Sequence, residues 1–199
     1  MAVRTPLSKI DPAGDYYRIG LSTGLETILN AGDSIFSLQW TSLTHRMVIQ
    51  ELNYYWTLTT AFGGPQDVAF AAYFARPYTV ADTGGTASTL TGNNAKLQTS
   101  FSTTRMGDMR IGAAVALTPG TRTLDTQPLS IRSGMLGNTA GQSSVNVTPH
   151  QFGVTNSEHP IVLATNEGIV INAFVTMGAA GVIHFYVGLE WVEIPNGIV

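Results

Sequence analysis

The stretch GIVINAFVTMGAAGVIHFYVGL, Gly168 to Leu189, contains no Asp, Glu, Lys or Arg. It is about as long as a helix that crosses a bilayer. Its periodicity points elsewhere. Ile169, Ile171, Ala173, Val175 and Met177 share one face of the first arm, and Ile183, Phe185, Val187, Leu189 and Trp191 share one face of the second. Asn172, Thr176, His184, Tyr186 and Glu190 fall on the opposite faces. Alternation with period two is the signature of strands with one face in a core. The Gly178–Gly181 link between the two arms predicts a β-hairpin. Glu167 and Glu190 flank the run, where a membrane helix carries Lys or Arg on its cytoplasmic side.

The same alternation recurs upstream. SIFSLQW (34–40) sets Phe36, Leu38 and Trp40 against Ile35, Ser37 and Gln39. In RMVIQELNYYWTLTTAF, Val48, Leu52, Tyr54, Trp56 and Leu58 share a parity, and the density of aromatic and β-branched residues favours strand over helix. DVAFAAYFARPY places Val68, Phe70, Ala72 and Phe74 together, and the FGGPQ between these two runs predicts a hairpin of Met47–Thr60 with Asp67–Arg76. Residues 1–34 carry repeated Pro and Gly and read as an extended arm with a short helical turn near Leu25–Leu29. Residues 78–105 and 119–158 read as two long polar excursions, part of the second being edge strand. The expected architecture is all-β: one antiparallel, jelly-roll-like β-sandwich over 35–199 behind an N-terminal arm over 1–34.

Composition narrows the function. Charged residues make up 12% of the chain, about half of the usual ~25%. Thr, Ser, Asn and Gly take their place, which suits a weakly charged, adhesive β surface. Net charge is −3 and the only lysines are Lys9 and Lys96. No cluster of basic residues offers a track for nucleic acid. With no cysteine, disulfides and thiol chemistry are excluded. The N-terminal MAVRTPLSKIDPAG lacks the apolar segment of a signal peptide, so synthesis and retention in a cytoplasm are expected. On that footing the sequon at Asn146 carries no weight.

Motifs for chemistry are weak. Gly20-Leu21-Ser22-Thr23-Gly24 matches the nucleophile elbow, but the strand–helix rhythm that elbow needs is missing. Asp82-Thr83-Gly84 matches the D-T-G of aspartic proteases, in which two aspartates share a proton. The polar GGTASTLTGNN that follows favours a surface turn. His45, His150, His159 and His184 show no zinc-ligand spacing. No phosphate loop or calcium loop occurs, and no cofactor or metal is expected. Asn53–Thr57, NYYWT, offers aromatic platforms for sugars, although aromatics at strand spacing more often pack in a core.

ADTGGTASTLTGNNAKLQTSFSTTRMGDMRIGAA, then GTRTLDTQPLSIRSG, then HPIVLATNEGIVINAFVTMGAAGVIHFYVGLEWVEI together resemble small virion-associated proteins encoded in the structural gene clusters of tailed bacteriophages. The motifs are Thr83-Gly84-Gly85-Thr86, Leu90 to Asn94, and Asn166-Glu167-Gly168. The likeness covers roughly residues 35–194 and implies a non-enzymatic β-sandwich component of the particle: a head decoration, cement or minor capsid protein. It implies association with itself, with a trimer favoured, and with the major capsid protein or other virion proteins. Tyr16 and Tyr17 in the arm, and Asn172, His184 and Tyr186 on the more polar face of the terminal strands, are the interface residues expected on this reading. Part of that polar face should be covered by a neighbour or by the arm. A carbohydrate- or receptor-recognising module is the rival, and it predicts exposed aromatics around Tyr54–Trp56 or in the 119–158 excursion. A D-T-G protease centred on Asp82 is the remaining alternative.

Overall fold

The computed structural model describes residues 14–137, 150–151 and 160–197. The first thirteen residues, the Asn146 sequon and His159 lie outside that set. Thirteen strands and no helix make up the described residues. The first sheet contains β1 (Asp15–Ser22), β2 (Glu26–Thr27), β4 (His45–Thr60), β10 (His150–Gln151), β11 (Ile161–Leu163) and β13 (Val182–Pro195). The second contains β3 (Ser34–Trp40), β5 (Gln66–Val80), β6 (Thr86–Ala87), β7 (Met106–Ile111), β8 (Thr121–Leu124), β9 (Ser130–Leu136) and β12 (Glu167–Ala173). All pairings are antiparallel.

Some short strands share one edge of a long one. β1 and β2 flank β13, β8 and β9 flank β5, and β10 and β11 flank β4. Counting each such couple once, the sheets run 1-8-3-6 and 2-7-4-5 in chain order, with the β6–β7 ribbon added outside β3. That is the strand order of a jelly roll, two Greek keys folded into facing sheets. The expected sandwich is therefore present.

Neither expected hairpin is. β4 lies in the first sheet and β5 in the second, and β12 and β13 are divided in the same way. Alternation identifies the face a residue takes, but not the neighbour its strand takes. The two glycine-rich links are corners that cross from sheet to sheet, and they pack on each other. Gln66 accepts a hydrogen bond from Gly178 N at 2.9 Å. Gly181 lies against the Phe62 ring so closely that a Cβ there would overlap it. β12 stops at Ala173, so Val175 and Met177 belong to the corner; Met177 is nonetheless buried.

Alternation assigns the core well elsewhere. Phe185 packs between Phe70 and Tyr54 with tilted rings, their centroids 4.7 Å and 5.9 Å away, and Trp56 meets Phe70 edge-on at 5.0 Å. Removing one such ring costs about 3–5 kcal/mol in a packed core. Val48 departs from its expected face. A bulge in β4, where Trp191 pairs with Ile49 and Glu190 with Glu51, reverses the parity. Val48 then joins Tyr16, Val192 and Ile194 in a small outer cluster, while Met47 and Ile49 enter the core.

The N-terminal segment is extended, but from Asp15 onward it is a strand of the sheet. β1 pairs with β13 from Asp15 to Ser22. The helical turn expected near Leu25–Leu29 is absent; Glu26 and Thr27 pair with Ile183 and Val182. The free edge of β1 is covered by the 78–105 excursion, through Arg18 N to Ala95 O at 2.7 Å and Leu97 N to Tyr16 O at 3.1 Å.

Candidate functional site

The five interface residues separate into two groups. Tyr17 is buried in the protomer's own core, stacked on Trp191 at 5.2 Å, and its hydroxyl donates to Ser102 O at 2.9 Å. Burial, with the Glu193 carboxylate beside it, pushes its phenol well above the ordinary value. Tyr16 packs against Phe101. Asn172 accepts from Ser34 Oγ at 2.8 Å beneath a covering of its own chain. These three make their contacts within the chain. His184 and Tyr186 remain half-exposed on the outer face of the first sheet.

Two buried charge clusters hold the excursions down. Asp82, of the D-T-G, lies in no surface turn: its side chain is fully buried and ion-paired with Arg122. Its second oxygen accepts from Gly120 N at 2.9 Å. Arg122 donates to Ser34, which donates to Asn172, so one network ties β3, β8 and β12 to the loop after β5. Both oxygens of Asp82 are thereby engaged in holding the loop. In the second cluster, buried Glu193 accepts from Arg105 Nη1 at 3.1 Å, from Arg105 N, from Thr104 and from Trp191 Nε1. The Gly20–Gly24 elbow motif runs along β1 and out of it, with Thr23 Oγ1 accepting from Phe185 N at 2.9 Å.

Glu26 is different. Its carboxyl is buried against the backbone at Gly112 and Ala114, and neither oxygen has a well-formed hydrogen-bond partner among the described residues. Burial pushes its pKa up to about 7, and contact with the Ala114 backbone only partly offsets this. Nothing in the sequence signals this burial; a glutamate between Leu25 and Thr27 reads as surface.

The outer face of the first sheet carries an open depression of about 390 Å³. Register builds it. Gly20 pairs with Gly188, and Gly188 with Asn53, so the middle row has almost no side chains. In the row on one side, Ser22, Tyr186 and Tyr55 are neighbours, with the two rings stacked at 4.7 Å and 13°. His184 lies against Tyr186, its Nδ1 3.4 Å from the tyrosine hydroxyl. In the row on the other side, Arg18, Glu190 and Glu51 are neighbours, and Arg18 is 3.4 Å from Glu190. The NYYWT segment thus divides: Tyr54 and Trp56 enter the core while Tyr55 looks outward.

A second feature is apolar. At one end of the sandwich, Leu25, Ile28, Val115 and Phe174 are each 44–64% exposed. They come from three loops tied together near that end, through Met177 N to Leu29 O, Gly32 N to Ala173 O and Leu117 N to Ser34 O.

Among the described residues no group of three or more His, Asp or Glu side chains is placed to hold a metal ion. No described helix is long and apolar enough to cross a membrane, and the charge-free run is divided between two sheets. No family model matches the chain, and no curated protein or solved structure shows significant similarity to it.

Proposed function

We propose that this protein is a non-enzymatic structural component of a phage particle, one that associates with itself and binds the capsid or neighbouring virion proteins in a decoration or cement role. The observation that carries the reading is the apolar end formed by Leu25, Ile28, Val115 and Phe174. Large apolar side chains gathered at one end of a domain are characteristic of a protein contact surface. Two properties support it. The jelly roll is an architecture used by shell-building domains, although the same architecture also serves lectins and cupins, so the fold alone assigns nothing. The low charge of the chain reduces the desolvation that accompanies close packing of subunits. The described excursions are held down by buried charge clusters, as suits a rigid building block.

The test has two parts. The native mass of the purified chain, by light scattering after size exclusion, is expected to be a multiple of 21.2 kDa, with three copies favoured. Gold-labelled antibody is expected to decorate purified particles of the phage that encodes the chain. Particles that carry no label would overturn the proposal.

A further inference from the structure

We propose that the glycine-floored depression on the outer face of the first sheet is a binding site for a neutral glycan. The inference is independent of whether the chain belongs to a particle.

The glycines are the starting point. Two strand glycines of this protein are demanded by packing: a Cβ at Gly168 would strike the Leu38 backbone, and one at Gly107 would strike Thr41. Gly20 and Gly188 are under no such demand. A Cβ at Gly20 meets nothing within 4 Å, and one at Gly188 meets only Asn53 Cβ at 3.9 Å. Neither adopts a left-handed backbone. Glycine inside a strand weakens it, and where neither bulge nor close packing explains it, close approach of a ligand is one reason for its presence. Here two such glycines are direct cross-strand partners, so the missing side chains coincide in one place.

The walls have the chemistry of sugar recognition. A pyranose presents a face of C–H groups and a rim of hydroxyls. Tyr186 is stacked on Tyr55 on one side, and its neighbour on the other side is the small Ser22. One face of the Tyr186 ring is therefore not covered by a β1 side chain and can take a C–H face. At the floor, Asn53 is the one residue of the middle row that carries a side chain. In the row beyond the glycines, next to the residues that line the depression, Glu190 and Glu51 offer carboxylate oxygens, the natural acceptors for hydroxyl pairs. Two carboxylates against the single Arg18 disfavour phosphorylated, uronic or sialylated sugars, which restricts the ligand to neutral residues. The volume of about 390 Å³ lies within the range of small-ligand sites.

The experiment uses the full chain on an array of neutral, uronic-acid and sialylated oligosaccharides, followed by calorimetric titration of the hits. Binding to one or more neutral glycans is expected. The Cβ of Gly20→Val meets nothing within 4 Å, so the variant's melting temperature should match the parent while affinity falls on the order of tenfold or more. Tyr186→Ala should act in the same direction. No binding on the array, binding confined to acidic glycans, or binding unchanged in both variants would each overturn the assignment. A second copy of the chain occupying the depression would appear instead as a change of native mass in Gly20→Val with no glycan bound, and that too would overturn it.

Discussion

Arg122 and Asp82 form a buried ion pair across 40 residues of sequence, with side chains 5% and 0% exposed. The pair joins β8 to the loop after β5 and roofs the outer face of the second sheet. Removing one partner strands the other in a dry site. Arg122→Met should therefore lower stability by about 3–5 kcal/mol, read as a shift in the urea midpoint. Replacing both, as Asp82→Leu with Arg122→Met, should recover a good part of that loss. A double variant no more stable than the single one would show that the pair has another role.

Glu26 makes stability depend on pH in an unusual direction. Its folded pKa, about 7, lies above the ordinary 4.5. The folded state therefore holds a proton that the unfolded state has released. Its stabilising contribution is complete below pH 4.5 and is lost as pH rises through 7. Glu26→Gln should abolish that slope and raise stability at pH 8 by roughly 2–3 kcal/mol relative to the parent. Urea titrations at pH 5 and pH 8 provide the check; parallel curves for parent and variant would refute the assignment.

Gly168 separates close packing from conformational freedom. It pairs with Gln39 on one side and Ala75 on the other, and a methyl there would meet the Leu38 carbonyl and the Tyr78 ring. Gly168→Ala should cost about 1–3 kcal/mol through overpacking. The measurement is a thermal melt beside Gly63→Ala, whose added methyl meets nothing within 4 Å.

The apolar end should govern association. Ile28→Lys and Phe174→Lys together should reduce the native mass and leave the monomer's melting temperature within a few degrees, since both side chains are about half exposed. Unchanged mass would move the contact to another surface.

Much of this architecture can be read in the residues. The parity of Ile183, Phe185, Val187, Leu189 and Trp191 assigns the core face of β13, and Phe36, Leu38 and Trp40 do the same for β3. The sandwich class follows from such alternation. Pairing does not, because the information that places β12 beside β3 and β5 is spread over residues far apart in the chain. The corner glycines mimic hairpin turns for the same local reason: glycine marks a change of direction but not its destination. Of the five residues expected at an interface, His184 and Tyr186 lie beside the depression, whereas Tyr16, Tyr17 and Asn172 are buried by contacts within the chain. The depression itself was hidden. Gly20 and Gly188 are individually unremarkable, and only the register between β1 and β13 brings them together. Tyr55 differs from Tyr54 by a single position of parity, which is enough to separate a platform from a core ring.

Strand β13 lies between β1 and β4, which do not pair with each other. During translation, residues 15–22 and 45–60 emerge long before residues 182–195 exist. The first sheet therefore cannot join β1 to β4 until residues 182–195 have been made. A truncation that removes β13 should yield an aggregation-prone fragment and not a smaller domain.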